Sequence, residues 1–387
     1  MPERVSLELR PLDVLMFRDT RPFAQVATGG ESLFPSPRTV AGAVRTWLLR
    51  SINPDGFARF RASGCRSTRD VLLGAFGGEV RWITEARLAG PFLTKESQVM
   101  LPAPASLMWR KNQDEFPRVI TLRPLLDAPP GYEPPEGAPD GFRPSYSREA
   151  GDAEPLGAHF VSVHDGMQAF LSGSMELVPQ QLTPHRELWD KEPRLGIGVG
   201  IRTRAAQEKM LYASSFMRLR EDVKFRVEVI ASRSDLRDKV QYAISTQPWL
   251  HLGGERKIAA VTLAEGDDLL DPDRNWPPSS GRFLTYLATP GRFAGGGWYP
   301  SSLAEKCRLV SAVIGSPEAV PGWDVAFNRP LQTQHAVPAG AVYFWEPADG
   351  EQDLQDPHGK SIADDPDDQQ AGWGVCLRGE WDYVRER

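Results

Sequence analysis

Cysteine is scarce. Cys65, Cys307 and Cys376 are the only three in 387 residues, and their separations match neither a zinc site nor a redox pair. Buried or free thiols and no structural metal are the expectation. No run of 18 or more apolar residues occurs, so no segment has the length to cross a bilayer as a helix. The opening MPERVSLELR also lacks the long apolar core of a signal peptide, which predicts a cytoplasmic protein. Long periodic stretches are few, and short apolar runs are broken by 35 glycines and 34 prolines, a pattern of strands and loops rather than helix bundles. A P-loop, a G-x-S-x-G elbow and an H-E-x-x-H zinc pair are missing too. GIGVG at 196–200 lacks the third glycine of a dinucleotide fingerprint, and Pro193 does not suit the buried parallel strand that such a motif follows. No cofactor is expected.

What is present is a globular composition, with 41% hydrophobic and 25% charged residues, of a strand-rich α+β kind. The length exceeds what one hydrophobic core normally serves, so two domains are expected, 1–190 and 191–387. The net charge of −6 argues against a protein whose whole surface coats nucleic acid, yet charge is unevenly spread. Between Arg38 and Arg69 seven arginines face the single acid Asp55, whereas Glu346 to Asp368 holds nine acids against Lys360 alone.

Along the chain, Val5, Leu7 and Leu9 alternate with polar residues, the period-two mark of a half-buried strand. Pro11 predicts an edge position or a bend there. In FPSPRTVAGAVRTWLLRSI, Ser36 is a good N-cap and Pro37 a good first helical residue. Val40, Ala43, Val44, Trp47 and Leu48 then trace one buried stripe. A second short helix is expected over 69–76, and strands within EVRWITEARLAG, SQVMLPAPASLMW, RVITLRPLL, residues 223–231, AGAVYFWE and GWGVCLRGEWDYV. Residues 127–157, dense in Pro, Gly and acid, read as a mobile surface insertion. The acidic tract at about 349–370 reads as a solvated, partly disordered loop.

Chemistry-bearing residues are thinly spread. On a strand, the offset between His159 and His164 in HFVSVHD places them on opposite faces, so they cannot converge on one ion. His185 and His335 sit in polar loops. The basic, glycine-rich clusters FRDTRPF, LGGERK and PGRFAGGGWYP need no catalytic partner to make sense. Arginine forks and close-approaching backbone amides hold phosphates, and neighbouring aromatics can stack on unpaired bases. A tight turn is the other reading of each glycine cluster.

Taken in order, PLDVLMFRDTRPF, ESLFPSPRTVAGAVRTWLL, RLGIGVGIRTRAAQEKMLY, LGGERK and AVPAGAVYFWE resemble the third-subunit family of the Cmr complex of type III-B CRISPR systems. The resemblance runs from about residue 7 to 382, and its first two blocks are the most specific; 127–157 and 349–370 have no counterpart in it. It implies a RAMP superfamily protein: two ferredoxin-like, RNA-recognition-like units with glycine-rich loops and surface insertions. It also implies binding of the 5′ handle of the CRISPR RNA and docking on the large cyclase-type subunit and other RAMP subunits, without cleavage of the target. With the basic clusters it makes Arg18, Arg21, Arg38, Arg45, Arg202, Arg204, Gly253, Gly254, Arg256, Lys257, Gly295, Gly296 and Gly297 the candidate RNA-binding residues. A RAMP-type endoribonuclease processing precursor CRISPR RNA is an alternative that needs a histidine beside a glycine-rich loop, for which His251 is the candidate. An unrelated soluble enzyme is the third reading.

Overall fold

Alternation and capping account for the first elements. The computed structural model describes residues 3–17, 34–62, 77–110, 118–173, 177–199, 204, 206–265, 270–271, 281–324, 329–348 and 354–384. The chain forms two compact units, each built from separate stretches: 1–91, 188–265 and 319–335 in the first, and 92–187, 266–318 and 336–387 in the second. The units interleave along the chain, which re-enters the first one at Leu188.

In the first unit, β1 (Glu3–Pro11) leads through α1 (Pro37–Ile52) and α2 (Pro54–Ala62) to β2 (Arg87–Lys95), which leaves the unit at Pro91. The chain returns as a long hairpin, β3 (Trp189–Val199) and β4 (Ala206–Leu219). Then come β5 (Val223–Ala231), α3 (Leu236–Thr246), β6 (Trp249–His251) and β7 (Ile258–Leu263). Five of these strands are consecutive members of an eight-stranded sheet, in the order β2-β5-β1-β7-β6, with β1 antiparallel to both neighbours. Pro11 therefore does not mark an edge strand: β1 is central, and the proline closes it at its last paired residue. Ser36 accepts the Thr39 amide at 3.3 Å and Pro37 occupies the first turn of α1, as the sequence predicts. Val40, Val44, Trp47 and Leu48 are buried beneath the helix. The expected strand at 79–86 is instead a helical stretch, Gly78–Val80 running into Arg81–Glu85, and the strand begins only at Arg87. The helix expected at 69–76 and Cys65 lie outside the described residues.

One buried ion pair sits within this sheet. Arg226 and Glu228, 2% and 1% exposed, are 2.6 Å apart, and Ser6 Oγ donates to Glu228 at 2.6 Å while accepting from Arg226 Nη2 at 3.0 Å.

In the second unit, β8 (Phe283–Leu287), α4 (Ser301–Ala304), β9 (Cys307–Val313), β10 (Val342–Pro347), α5 (Pro366–Ala371) and β11 (Cys376–Gly379) follow one another. Their sheet order is β9-β10-β8-β11, antiparallel throughout. The two units thus repeat one topology. Each is strand, helix, strand, strand, helix, strand, with the strands ordered second, third, first, fourth, and the first unit adds β6 at its outer edge.

The structure qualifies two composition-based expectations. Residues 127–157 lie largely at the surface, as expected, but are anchored from within. Phe142 is buried in the core beside Phe283, Tyr343 and Trp345, with Tyr132 against the same cluster, and the Arg143 amide donates to the Val310 carbonyl at 2.7 Å. Among the acids of 354–371, Asp367 stays exposed but others are tied into the fold, and 349–353 lie outside the described residues. Asp356 meets Arg378 at 3.2 Å, Asp368 meets Arg292 at 2.6 Å, and Asp365 caps α5.

Candidate nucleic-acid interface

Three of the segments singled out in the sequence meet at one corner of the first unit. After β1, residues 12–17 run between the hairpin and the β6–β7 turn. Leu15 and Met217 exchange backbone hydrogen bonds at 2.8 and 2.9 Å, the Leu12 amide donates to Ile258 at 3.0 Å, and the Gly254 amide donates to Met16 at 2.8 Å. Val14, Met16 and Phe216 form a small apolar cluster beneath. On the far side of 18–33, Phe34 packs against Trp189 and Phe225, with ring centroids 5.9 and 5.8 Å away. Arg18 and Arg21 lie outside the described residues, but both ends of their stretch are anchored here.

LGGERK supplies the second side of the corner. Gly253 has φ +78°, and a Cβ there would stand 2.6 Å from the Met16 carbonyl oxygen and 2.9 Å from Phe17 Cε1. Glycine is therefore demanded by close backbone approach. Residues 254–257 form a tight turn closed by Lys257 N to Gly254 O at 3.3 Å, with φ of +52° at Glu255 and +53° at Arg256. Positive φ at both central residues is the type I′ hairpin geometry, which costs a non-glycine residue about 1–2 kcal/mol. The turn holds Arg256 exposed, and among the described residues no acid pairs with it. Lys257 instead lies over the Phe216 ring, Nζ 5.1 Å from its centroid.

The hairpin is the third side. Arg194 lies over Phe216 at 5.0 Å, and Arg194 and Arg218 share two carboxylates. Glu192 is 2.6 Å from Arg194 and 2.5 Å from Arg218, and Asp13 is 3.6 and 3.0 Å from the same two. Partial burial opposes ionisation of Asp13, but the Val14 amide and Arg218 outweigh it and hold its carboxyl below the usual range. Hydrogen bonds from Arg218 and Arg194 lower Glu192 likewise. These two arginines are charge-balanced inside the protein and join the hairpin base to the residues leading into FRDTRPF. Further out, Leu195 and Ile197 are 77% and 56% exposed. Residues 196–199 thus belong to an antiparallel hairpin and not to the strand-to-helix turn of a dinucleotide site. Arg204, exposed with φ +50°, stands between the two hairpin strands in sequence, and Arg202 lies outside the described residues.

The remaining candidates separate. Arg38 is half-buried in the first turn of α1, and Arg45 donates through Nη2 to the Ala86 carbonyl at 2.9 Å within the unit. Gly295, Gly296 and Gly297 are exposed in the second unit, between β8 and α4. The amides flanking them are occupied, since Asp364 accepts from Ala294 at 2.8 Å, Ser302 at 3.1 Å and Ser301 at 3.3 Å. His251, on β6, stands two residues before Gly253 and makes an edge contact with Trp249. Among the described residues no three His, Cys, Asp or Glu side chains gather as a metal site would require, and no helix is long and apolar enough to cross a membrane. Asp13, Glu192, Phe216 and Arg218 were not singled out in the sequence. Their convergence depends on hairpin register, of which only the E-x-R spacing at 192–194 gives a hint.

A family model described as CRISPR-associated protein (Cas_Cmr3) matches residues 7–381. Among solved structures, a chain of a type III-B Cmr-beta complex bound to cognate target RNA aligns at 16% identity with a TM-score of 0.47, covering 88% of this chain and 86% of that one. A chain of a Csm3–Csm4 subcomplex from a type III-A interference complex aligns at 11% identity with a TM-score of 0.40, covering 99% and 100%. No curated protein matches.

Proposed function

The chain belongs to the CRISPR-associated Cas_Cmr3 family, and from that membership we propose that it is the non-catalytic RNA-binding subunit of a type III-B effector. In this reading it holds the 5′ handle of the CRISPR RNA at the corner formed by residues 12–17, the β6–β7 turn and the hairpin base. It docks on the large cyclase-type subunit and on other RAMP subunits.

The observation that carries the reading is the β6–β7 turn: a strained I′ geometry keeps Arg256 exposed, with no acid paired to it among the described residues, beside the anchored ends of the Arg18–Arg21 stretch. Backbone strain kept at a surface turn is the kind of feature retained for a binding task. The repeated β-α-β-β-α-β order supports two ferredoxin-like units. Exposed Leu195 and Ile197 on an extended hairpin suit a protein that is one piece of an assembly.

Each arginine that neutralises a phosphate of single-stranded RNA adds about 0.7 to the slope of log K against log salt. Arg256→Ala, Arg18→Ala and Arg21→Ala are each expected to weaken binding of a synthetic handle RNA and to flatten that slope by about this amount. An unchanged slope in all three variants refutes the assignment. Co-expressed with the large subunit, the protein is expected to elute as a heterodimer; separate monomers at micromolar concentration refute the docking.

A further inference from the structure

We propose that the outer edge of the first unit's sheet is a second contact for single-stranded RNA, formed by Trp249, His251 and Arg50. The inference rests on the reading above and extends the RNA path from the corner along β6. In the sheet order β6 is outermost, with β7 its one partner strand among the described residues. Alternation places Trp249 and His251 on one side of the strand while Leu250 is buried on the other. Their rings meet edge to face, with centroids 5.3 Å apart at 77°. The Arg50 guanidinium, from the last turn of α1, lies 5.5 Å from the Trp249 ring centroid.

The arrangement is braced from behind. Trp47 Nε1 donates to the Gln247 carbonyl at 2.7 Å, and Gln247 Nε2 donates to the Trp249 carbonyl at 2.9 Å. The second bond also removes an acceptor that an added protein strand would need, so the edge suits stacking better than strand addition. Charge agrees. Residues 37–62 carry five arginines and one acid, Asp55, and Arg50 and Arg61 are exposed. A half-exposed indole, an exposed imidazole and a guanidinium in one row form a stacking platform with a cation beside it, which bases of any sequence can occupy. His251, the candidate base of the endoribonuclease alternative, becomes a stacking residue two positions from the turn that carries Arg256.

The test titrates handle RNA and a longer single-stranded RNA at several salt concentrations against the full-length protein and its variants. Trp249→Ala is expected to weaken binding by about fivefold to a hundredfold without changing the salt slope, because stacking releases no counterions. Trp249→Phe is expected to recover most of that loss, and His251→Ala, an exposed change that cannot unfold the unit, to weaken binding severalfold. Arg50→Ala is expected to flatten the slope by about 0.7. Wild-type binding in His251→Ala, Trp249→Phe and Arg50→Ala, with Arg256→Ala still weakened, overturns the edge contact and leaves the corner standing. Wild-type protein that binds neither RNA overturns both. Intact RNA binding in variants that no longer co-elute with the large subunit assigns the edge to a protein and overturns the proposal.

Discussion

Replacing Gly253 by alanine tests the geometry of the corner directly. The new Cβ would lie 2.6 Å from the Met16 carbonyl oxygen and 2.9 Å from Phe17 Cε1, at a backbone φ of +78°. The left-handed conformation alone costs an alanine about 1–2 kcal/mol, and forcing an extra carbon against backbone adds about 1–3 kcal/mol. Backbone cannot swing aside as a side-chain tip could, so a total of about 3 kcal/mol is expected. In a unit of this size that lowers the melting midpoint by roughly 10 °C. Gly254 is the internal control. A Cβ there meets Met16 O at an ordinary 3.5 Å, so Gly254→Ala should cost under about 1 kcal/mol. Thermal melts of both variants, with amide exchange at Leu15–Phe17, separate the two. Equal midpoints, or wild-type handle affinity in Gly253→Ala, would refute the claim that close packing of this turn on Met16 and Phe17 shapes the site.

Other outcomes follow from the same physics. Glu228→Ala strands the buried Arg226 charge and should cost about 3–5 kcal/mol in urea unfolding, whereas Arg226→Met with Glu228→Leu should stay near wild type; equal losses in both would contradict this. Asp364→Ala removes the acceptor of three amides and should destabilise by about 1–3 kcal/mol at neutral pH. Burial works against the Asp364 charge, but those amides prevail and lower its folded pKa. Its contribution is therefore complete above the unfolded carboxylate value of about 3.9 and is lost as pH falls through the folded one. The gap between wild type and variant should close on acidification below about pH 4, and a gap independent of pH would count against it.

What could be read from the sequence was local. Ser36 and Pro37 announce α1 because capping involves residues three apart, and Val5, Leu7 and Leu9 announce β1 because alternation needs no partner. The central place of β1 was hidden, since its neighbours lie more than two hundred residues downstream. The 127–157 and 354–371 segments mislead for a related reason. Proline and acid content describes a segment's own preference, while Phe142 is held by Phe283 and Tyr343, and Asp368 by Arg292. Composition marks the glycine clusters, but it cannot say whether carbonyl, carboxylate or phosphate fills the space beside them. Met16 O stands against Gly253, and Asp364 takes the amides beside Gly295–Gly297.

The discontinuous first unit has a consequence for synthesis. Its middle strand is made before its two sheet neighbours, 223–231 and 258–263, which emerge only after more than two hundred further residues, 92–187 of the other unit among them. At roughly 5–20 residues per second, the apolar face of Val5, Leu7 and Leu9 waits on the order of 10–50 s for its partners. During that interval the unpaired strand is an open template for another chain. Whatever covers that strand in the meantime bridges a gap in time that the finished structure no longer displays.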